Sequence, residues 1–439
     1  MKGLILTYLL AAWGTVAGIW YPIVGLYVYI GFAILRPQSI FAFAGDISGI
    51  SSWVGITMLV GWMFRGFGSW RFGRGRSIVV TLLLFVTWFT LSAIQAIDTD
   101  VAFQSMVNVS RFVLPVLMGA TLLASPESRR RMIWIIVLAQ GYVSFEMNLA
   151  YVRGFNIASE GFGGMDNNCF AASLVVTIGP AIALVIASKR WPERLLAGLC
   201  TALILHTTLL TFSRGGLMGL LAVGVVAFVM MPKRPSYLGV ILLVGLLAIR
   251  LTGPQLYARY SSIFASSDER DGSAESRLDL WSDCLKVVGQ YPMFGVGPAN
   301  WRVVASQYGW AEGKSAHSVW METAAETGIP GSLLLLSFFT IAALKLWPVA
   351  RTRFTDENRS DVAIATGGVL SAVGFIVSGQ FVSVPGLEVP YYVVMVGVAV
   401  LKAQKPAPAK VEAARVPSRS LHPAMARLQG MTPTQTPSR

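Results

Sequence analysis

An arginine stands in a charged break between two apolar runs. Arg214 is followed by Gly215 and Gly216, and no residues are left to form a loop between the runs. The two glycines would allow the backbone to turn tightly there. A guanidinium fork beside the exposed N–H groups of a helix start binds phosphate well. We therefore expect a phosphate site at this break, with snorkelling of Arg214 to the membrane surface as the structural alternative.

A histidine precedes a second helix start. Ser315 or Ser318 can cap a helix that ends at Gly328, and Pro330 opens the next helix. The positive end of the helix dipole disfavours protonation of His317, which keeps the imidazole neutral and able to act as a general base. A purely structural role for this histidine is the alternative.

A predicted amphipathic helix carries another arginine ahead of that histidine. Its apolar positions recur at helical spacing: Leu278, Trp281, Leu285 and Val288. Such a helix, capped by Ser273 or Ser276, would lie along the outer surface of a membrane. Arg277 lies in its first turn, where an ion pair with Asp279 or Asp283 is the structural alternative.

Acidic side chains suggest two weaker candidates. Asp98 and Asp100 form a D-x-D pattern that can hold a metal-bound diphosphate, but the same pattern begins a helix, which is the interpretation we favour. Glu146 stands inside an apolar run, so it must face the interior of the bundle or a cavity, which makes it a functional candidate. The sequence predicts neither a metal nor a cofactor.

The composition places these residues in a membrane protein. Of the 439 residues, 54% are apolar and 13% are charged, whereas soluble proteins have roughly a quarter charged residues. The excess of 35 Lys and Arg over 22 Asp and Glu is first a signal of topology. No basic stripe interleaved with exposed aromatic residues indicates a nucleic-acid partner.

The apolar runs after residue 76 are separated by connections that alternate in charge. The runs cover residues 77–97, 112–124, 132–152, 168–187, 195–212, 216–231, 237–251, 331–347, 362–381 and 389–401. Basic clusters stand at every second connection, at residues 65–76, 129–131, 189–194, 233–234 and 345–359. Because basic loops are retained in the cytoplasm, one orientation satisfies all five clusters. The other connections then lie outside.

The N-terminal apolar stretch does not fit this alternation. Residues 4–35 would form ~46 Å of helix, too long for one span and short for two. We expect one span plus a partial or re-entrant element here, and together with the run 50–64 and the ten later runs this gives about 12 spans with both termini in the cytoplasm. Thirteen spans is the alternative.

Four regions follow from this pattern. Residues 1–251 are predicted to form transmembrane helices with short loops, and residues 252–330 a periplasmic helical loop subdomain that carries active-site residues. Residues 331–404 return to transmembrane helices. Residues 405–439, which are basic and rich in proline, are predicted to form a disordered cytoplasmic tail attracted to anionic lipid.

The motifs in their order resemble the O-antigen ligase and polymerase superfamily. They are residues 213–216, residues 275–278 with Trp281, residues 295–298, and His317-Ser318 followed by Glu322, Glu326 and residues 328–331. The resemblance covers roughly residues 163–331 and includes Asp166-Asn167-Asn168. The sequence Leu35-Arg36-Pro37-Gln38 resembles the branch of O-glycosylation ligases associated with exosortase systems. The histidine of the family is usually followed by Asn, whereas Ser318 stands here.

The resemblance implies a GT-C-like all-α fold and an inverting, metal-independent glycosyl transfer at the periplasmic face of the bacterial inner membrane. The implied donor is a glycan on undecaprenyl diphosphate, and the implied acceptor is a hydroxyl group of lipid A-core, or of a protein. Arg214 and Arg277 would bind the diphosphate, and His317 would be the base. The supporting residues would be Glu322, Glu326, Asp166, Asn168 and Glu146.

Two other functions stay open at this point. An O-antigen polymerase would transfer the growing glycan to another lipid-linked unit, and it usually shows two basic outer loops. Here the connection 153–167 contains Arg153 as its one basic residue, which favours a ligase. A lipid-oligosaccharide transporter would need repeated halves and ionisable residues at mid-membrane, of which Glu146 is the one visible example.

Overall fold

A computed structural model describes residues 2–41, 43, 47, 49–230, 250, 272–383 and 387–404. Its helices are α1 Lys2–Trp20, α2 Pro22–Leu35, α3 Pro37–Ile40, α4 Gly49–Phe64, α5 Arg76–Ile94, α6 Thr99–Leu122, α7 Pro126–Val152, α8 Asn167–Ala187, α9 Trp191–Leu210, α10 Arg214–Met230, α11 Gly272–Gln290, α12 Trp301–Val304, α13 Val319–Ala350, α14 Arg359–Ser378 and α15 Val389–Ala403. The predicted span 237–251, the predicted loop residues 252–271 and the predicted tail 405–439 lie outside the described residues.

The chain is an all-α polytopic membrane protein, as the sequence predicts. Eight helices in the described part of the chain are long and apolar enough to cross a membrane: α1, α5 with the turn before it, α6, α7, α8, α9, α13 and α14 with the turn after it. Four shorter apolar helices accompany them: α2, α4, α10 and α15. This set positions the loops in which the candidate residues lie.

Helices α8 and α14 are the two most buried of the eight long apolar helices, and they pack against each other. They approach closely at Gly179 and Gly367, since a Cβ atom on Gly179 would lie 2.4 Å from the carbonyl oxygen of Gly367. Small residues allow two membrane helices to pack backbone against backbone. The start of α8 and the end of α14 are thereby fixed beside each other, and both border the candidate site.

The four basic loops that the structure describes, at residues 65–76, 129–131, 189–194 and 345–359, gather at one end of the bundle, which we call the basic end. The buried Arg129 guanidinium pairs with Asp361, with Nη2 to Oδ2 at 2.8 Å, and joins α7 to α14. Arg130 pairs with Glu193 of α9. The Lys402 ammonium donates to the Ser69 carbonyl oxygen at 2.7 Å. The alternation of charge along the sequence therefore corresponds to a real grouping in space, and the opposite end is called the distal end below.

The N-terminal stretch forms two antiparallel helices, α1 and α2. Helix α1 ends at Trp20, whose carbonyl oxygen accepts a bond from Arg65 at the basic end, with N to O at 2.7 Å. Its first turn lies against Phe41, just beyond α2, at the distal end. Helix α1 is long enough to cross a membrane and α2 is shorter, in agreement with one span plus a partial element, and the cytoplasmic position of the N-terminus stays a prediction. Tyr21 alone separates the end of α1 from Pro22, the first residue of α2, so the chain reverses without a loop.

The glycines of these helices allow them to pack closely. A Cβ atom on Gly61 of α4 would lie 2.3 Å from the Gly18 carbonyl oxygen of α1, and a Cβ atom on Gly25 of α2 would lie 2.7 Å from Met58. Helices α1, α2 and α4 therefore pack at very short range. Helix α2 has 14 residues, fewer than a full span needs, as the predicted partial element would.

The segment 272–330 has a small apolar core of its own at the distal end. The core contains Leu280, Cys284, Val287, Val296, Trp301, Val304, Ala305, Ala316 and Ala325. Helix α11 therefore buries the face that carries Leu280 and Cys284, whereas Leu278 and Leu285 are exposed. The helix is confirmed, and the position of its other apolar face, with Leu278 and Leu285, along the membrane surface stays a prediction. The helix begins at Gly272, so neither predicted serine is its cap.

Helix α13 is interrupted where the sequence predicts a break. Gly328 has a φ of 71° inside the otherwise helical stretch, and a Cβ atom there would lie 2.2 Å from the Met293 carbonyl oxygen. The Val296 amide also donates to the Ala325 carbonyl oxygen at 3.0 Å. The first part of α13 therefore serves as a platform for the loop 291–300, and the second part crosses the bundle.

Candidate active site

The break before α10 is held against the start of α8. Phe212 turns the chain with a φ of 52°, and α10 begins at Arg214. The Ser213 hydroxyl donates to Asn168 Oδ1 at 2.8 Å and accepts a bond from the Gly216 amide at 3.0 Å. Through this bond Asn168 stabilises the break before α10, and its bonded Oδ1 atom does not face substrate. Arg214 is half-buried at the first position of the helix.

The two glycines after Arg214 have a different role from the one the sequence suggests. Both lie inside α10, and the left-handed residue that makes the turn is Phe212. A Cβ atom on Gly215 would lie 2.4 Å from the Phe381 Cβ atom, and one on Gly216 would lie 2.7 Å from that of Ala171. The glycines are needed for close packing of α10 against its neighbours, so the prediction that they form the turn is wrong.

Arg277 reaches the site because α11 is anchored four residues later. The Trp281 indole N–H donates to the Ala316 carbonyl oxygen at 2.9 Å. Residues four apart lie on the same face of a helix, so this bond turns Arg277 toward the loop that carries His317. Burial and the charge of Arg214 lower the pKa of the Arg277 guanidinium, while the charge of Asp166 raises it.

The ion pair considered for Arg277 is made by another residue. Asp283 accepts bonds from Lys286 at 2.7 Å and from the Trp310 indole at 2.9 Å. These contacts bind α11 to the loop after α12 and leave Asp283 occupied. Arg277 instead lies within electrostatic range of Arg214 and Asp166.

His317 is held by its backbone immediately before α13. Its amide donates to the Ser383 hydroxyl at 3.2 Å, and Ser318 caps the helix by accepting a bond from the Met321 amide at 3.3 Å. The residue has a φ of 50°, in the left-handed region. The predicted cap at Ser318 and the predicted position of His317 at the helix start are confirmed.

The environment keeps the imidazole of His317 neutral. Burial lowers its pKa most, the positive charges of Arg277 and Lys314 lower it further, and Asp166 opposes them. The Nδ1 atom is buried and has no hydrogen-bond partner within the described ranges. The Nε2 atom lies 3.5 Å from the Ser315 hydroxyl. The pKa is lowered in the predicted direction, and the main causes are burial and the charge of Arg277.

Asp166 links the three candidates. It caps α8 by accepting a bond from the Cys169 amide at 2.7 Å, and its side chain is exposed. Its charge acts on both Arg277 and His317. One carboxylate therefore lies within range of a cation and of a base that come from different segments.

The two glutamates of α13 hold the loops around His317. The buried Glu322 accepts a bond from the Ala316 amide at 3.2 Å, lies 3.6 Å from Arg302 Nε, and also bonds the Ser383 side chain. Glu326 accepts bonds from backbone amides of the loop at residues 299–301. Both carboxylates thus hold the segments that surround His317, which we call the frame of the site.

Two residues of this frame have no local sequence signal. Ser383 lies between α14 and α15. Its hydroxyl accepts a hydrogen bond from the His317 amide, and its carbonyl oxygen accepts one from the Cys169 thiol at 3.3 Å. Arg302 pairs with Glu322 and adds positive charge near His317. The contact of Ser383 joins residues far apart in the chain, and Arg302 belongs to no recognisable motif. Sequence patterns therefore do not reveal either residue.

The acidic candidates outside this cluster have other partners. Asp98 caps α6 by accepting bonds from the Asp100 and Val101 amides, both at 3.0 Å, as the sequence suggests. Glu146 bonds Tyr142, which is exposed, so the structure places Glu146 on the outward side of α7. Among residues the structure describes, no three His, Cys, Asp or Glu side chains lie close enough to hold a metal ion.

The cluster combines two functions that a group transfer with a phosphate leaving group requires. Two guanidinium groups provide positive charge for an anion. A neutral, partly buried imidazole can accept a proton. The charges of Arg214, Arg277, Asp166 and His317 interact at the distal end, opposite the paired arginines of the basic end.

Residues 199–336 match the family model described as O-antigen ligase. The matched range contains Arg214, Arg277 and His317, together with Glu322 and Glu326. No curated protein matches the chain. The family match confirms the recognition made from the ordered motifs.

Proposed function

We propose that this chain, which matches the O-antigen ligase family over residues 199–336, is a ligase that transfers a glycan from undecaprenyl diphosphate to a hydroxyl group of lipid A-core. The transfer is inverting and independent of metal. It takes place on the periplasmic side of the bacterial inner membrane, which the distal end faces if the basic end is cytoplasmic.

The observation that carries this proposal is the convergence of charges from three separate segments. Arg214 begins α10, Arg277 lies on α11, and His317 precedes α13, yet Arg277 acts electrostatically on both of the others. Two guanidinium groups within electrostatic range of each other supply positive charge, which an anionic ligand requires. A diphosphate fits this requirement.

The reaction needs little from the protein beyond charge and a base. The acceptor hydroxyl oxygen forms a bond to the anomeric carbon of the first sugar, and the bond from that carbon to the diphosphate oxygen breaks. Undecaprenyl diphosphate leaves with the electron pair, and Arg214 and Arg277 neutralise its charge. The hydroxyl proton moves to the His317 imidazole, which then releases it to solvent.

The location of the site explains why the donor must carry its own activation. Nucleotide sugars are confined to the cytoplasm, so a transferase at the outer face depends on a donor that crosses the membrane as a lipid-linked diphosphate. Two arginines can take over the charge neutralisation that a metal ion provides elsewhere. This is the physical basis for proposing a metal-independent transfer.

The proposal is tested with purified protein, glycan on undecaprenyl diphosphate, and lipid A-core. We expect glycan on lipid A-core with the anomeric configuration inverted, measured by NMR of the product, at the same rate with and without a strong chelator. A lengthened glycan still on the diphosphate, with no lipid A-core product, would instead identify a polymerase. Loss of transfer on chelation would contradict the metal-independent mechanism.

A further inference from the structure

The imidazole ring of His317 is not oriented by a side-chain partner in the way that catalytic bases commonly are. Such a base usually bonds a third group through its second ring nitrogen. Here the Nδ1 atom is buried and has no hydrogen-bond partner that the structure describes, and the Nε2 atom lies 3.5 Å from the Ser315 hydroxyl. The direction of the ring therefore depends on the backbone that carries it.

That backbone has a conformation that histidine does not favour. The φ of His317 is 50°, in the left-handed region, where the Cβ atom of a side chain lies too close to the backbone. A residue other than glycine keeps this conformation only where surrounding contacts impose it. Without those contacts φ would return to a negative value and the imidazole would point elsewhere. The contacts around residue 317 therefore set the position of the base.

Ser383 supplies one of these contacts from a distant part of the chain. Its hydroxyl accepts a bond from the His317 amide at 3.2 Å and also bonds the Glu322 carboxylate. A hydroxyl group can accept and donate at the same time, so its proton faces the carboxylate while a lone pair faces the amide. The serine is buried, with 5% of its surface exposed, so water has little access to these bonds.

Glu322 holds the neighbouring peptide group directly. Its Oε2 atom accepts a bond from the Ala316 amide at 3.2 Å, and its Oε1 atom lies 3.6 Å from Arg302 Nε. The carboxylate thus holds the Ala316 amide itself and the His317 amide through the Ser383 hydroxyl. Hydrogen bonds to a charged acceptor are stronger than neutral ones. Two consecutive amide groups are therefore fixed by one network.

Ser383 also connects this network to the start of α8. Its carbonyl oxygen accepts a bond from the Cys169 thiol at 3.3 Å, and the Cys169 amide donates to Asp166 at 2.7 Å. The charge of Asp166 acts on both His317 and Arg277. One serine thus joins the segment that carries the base to the helix whose cap acts on the candidate residues. It lies outside residues 199–336, the range of the family match.

We propose that Ser383 is a positioning residue, whose hydroxyl, bonded to Glu322, holds the left-handed backbone of His317 and keeps the imidazole directed at the acceptor hydroxyl group. This role rests on the proposed function, in which His317 takes the proton of the acceptor. Ser383 does not touch substrate in this role. Its loss should therefore slow the transfer step and leave the binding of the diphosphate by Arg214 and Arg277 unchanged.

The test compares Ser383→Ala with Ser378→Ala in the full-length purified protein. Both serines are buried, and the Ser378 hydroxyl has no hydrogen-bond partner in the part of the molecule that is described, so the control removes the same atom without a bond. For Ser383→Ala we expect kcat to fall about tenfold, as for a lost bond in a charged network, with the KM for the donor within about twofold of wild type. Ser378→Ala should behave as wild type.

Two further substitutions separate the hydroxyl from the volume of the side chain. Ser383→Thr keeps the hydroxyl and should recover most of kcat. Ser383→Cys keeps the size but forms weak hydrogen bonds, so its kcat should lie between those of Ser383→Ala and wild type. Equal losses of kcat in Ser383→Ala and Ser378→Ala, or full kcat in Ser383→Ala, would overturn the assignment.

A second readout does not depend on activity. The chain has three histidines, so 15N-labelled histidine in protein purified without a histidine tag gives three backbone amide signals, and the one missing in His317→Ala belongs to residue 317. In Ser383→Ala we expect that signal to shift and its proton to exchange with solvent about tenfold faster, while the His206 signal stays in place.

The amide signal also separates this assignment from the proposed function. An unmoved His317 signal in Ser383→Ala would show that Ser383 does not hold the base, even where wild type transfers glycan normally. If the His317 signal moves in Ser383→Ala and not in Ser378→Ala, but wild type transfers no glycan, the contact between Ser383 and His317 stands and the proposed function fails.

Discussion

The two ends of the bundle use arginine in opposite ways. At the basic end the Arg129 guanidinium is almost completely buried, with 1% of its side chain exposed, and binds both oxygens of Asp361. At the distal end Arg277 lies within electrostatic range of a second arginine, Arg214, and of the carboxylate of Asp166. The first arrangement joins one cation to one anion between two helices. The second brings two cations from separate segments toward one place.

This difference separates structural from functional charge. A buried arginine that is bound to a carboxylate connects two helices, and its loss leaves an uncompensated acid. Two arginines within range of each other can bind an anionic ligand, which is the role we propose for them at the distal end. Substitutions at the basic end should therefore affect stability, and substitutions at the distal end should affect transfer.

The largest effect is expected from Arg129→Ala. Removing Arg129 leaves Asp361, whose side chain is 15% exposed, without its partner, so we expect the free energy of unfolding to fall by about 3 kcal/mol, the lower end of the cost for a broken buried pair. The transfer rate per folded molecule should stay the same. The double variant Arg129→Met with Asp361→Leu removes both charges and should recover most of the stability, measured by thermal unfolding in detergent. A lower rate in the folded fraction would break the division between the two ends.

Arg277→Ala should give the converse result. We expect the transfer rate to fall by about 100- to 1,000-fold, because the leaving diphosphate loses one of its two charge partners. The unfolding temperature should change little. Arg153→Ala, at an exposed position of the distal end, is the control and should transfer at the wild-type rate. Full activity in Arg277→Ala would remove this residue from the mechanism.

Trp281→Phe tests how α11 positions Arg277. The substitution keeps the aromatic ring but removes the N–H that binds the Ala316 carbonyl oxygen. A lost hydrogen bond of about 1 kcal/mol corresponds to a reduction in transfer of about fivefold. Trp310→Phe removes the equivalent bond to Asp283 and serves as the matched control, with an expected rate near wild type. Equal losses in both variants would show that general stability of the segment, rather than Arg277, matters.

The smallest effect concerns pH. The base must be neutral, so transfer falls as pH drops through the pKa of His317, and the charge of Lys314 holds that pKa low. Lys314→Gln should raise the pKa and move the acidic limb of kcat/KM to higher pH by a few tenths of a unit, roughly the effect of one partly screened charge. Lys286→Gln changes the net charge equally and should leave the limb in place.

Local patterns were sufficient for much of the site. The break at Arg214, the cap at Ser318 and the interruption at Gly328 each follow from a few adjacent residues with specific backbone requirements. The grouping of the basic loops also follows from the sequence, because charge retention acts on each connection independently. Such features need no knowledge of distant contacts.

The parts that sequence reasoning misplaced or missed depend on close approach between distant segments. The glycines after Arg214 contact Phe381 and Ala171, and the N-terminal hairpin depends on Gly18 against Gly61. Ser383 and His317 are 66 residues apart. The sequence alone does not show whether a small residue allows the chain to turn or allows two helices to approach closely. These assignments therefore needed the structure.

The central claim is that Arg214 and Arg277 bind the diphosphate while His317 moves the proton. Binding of undecaprenyl diphosphate to the purified protein separates these roles most directly, compared with single-turnover transfer in the same preparations. His317→Ala should bind the diphosphate within twofold of wild type and transfer at least about 100-fold more slowly, whereas Arg277→Ala and Arg214→Ala should lose binding. Wild-type affinity in both arginine variants, or normal transfer in His317→Ala, would contradict the account.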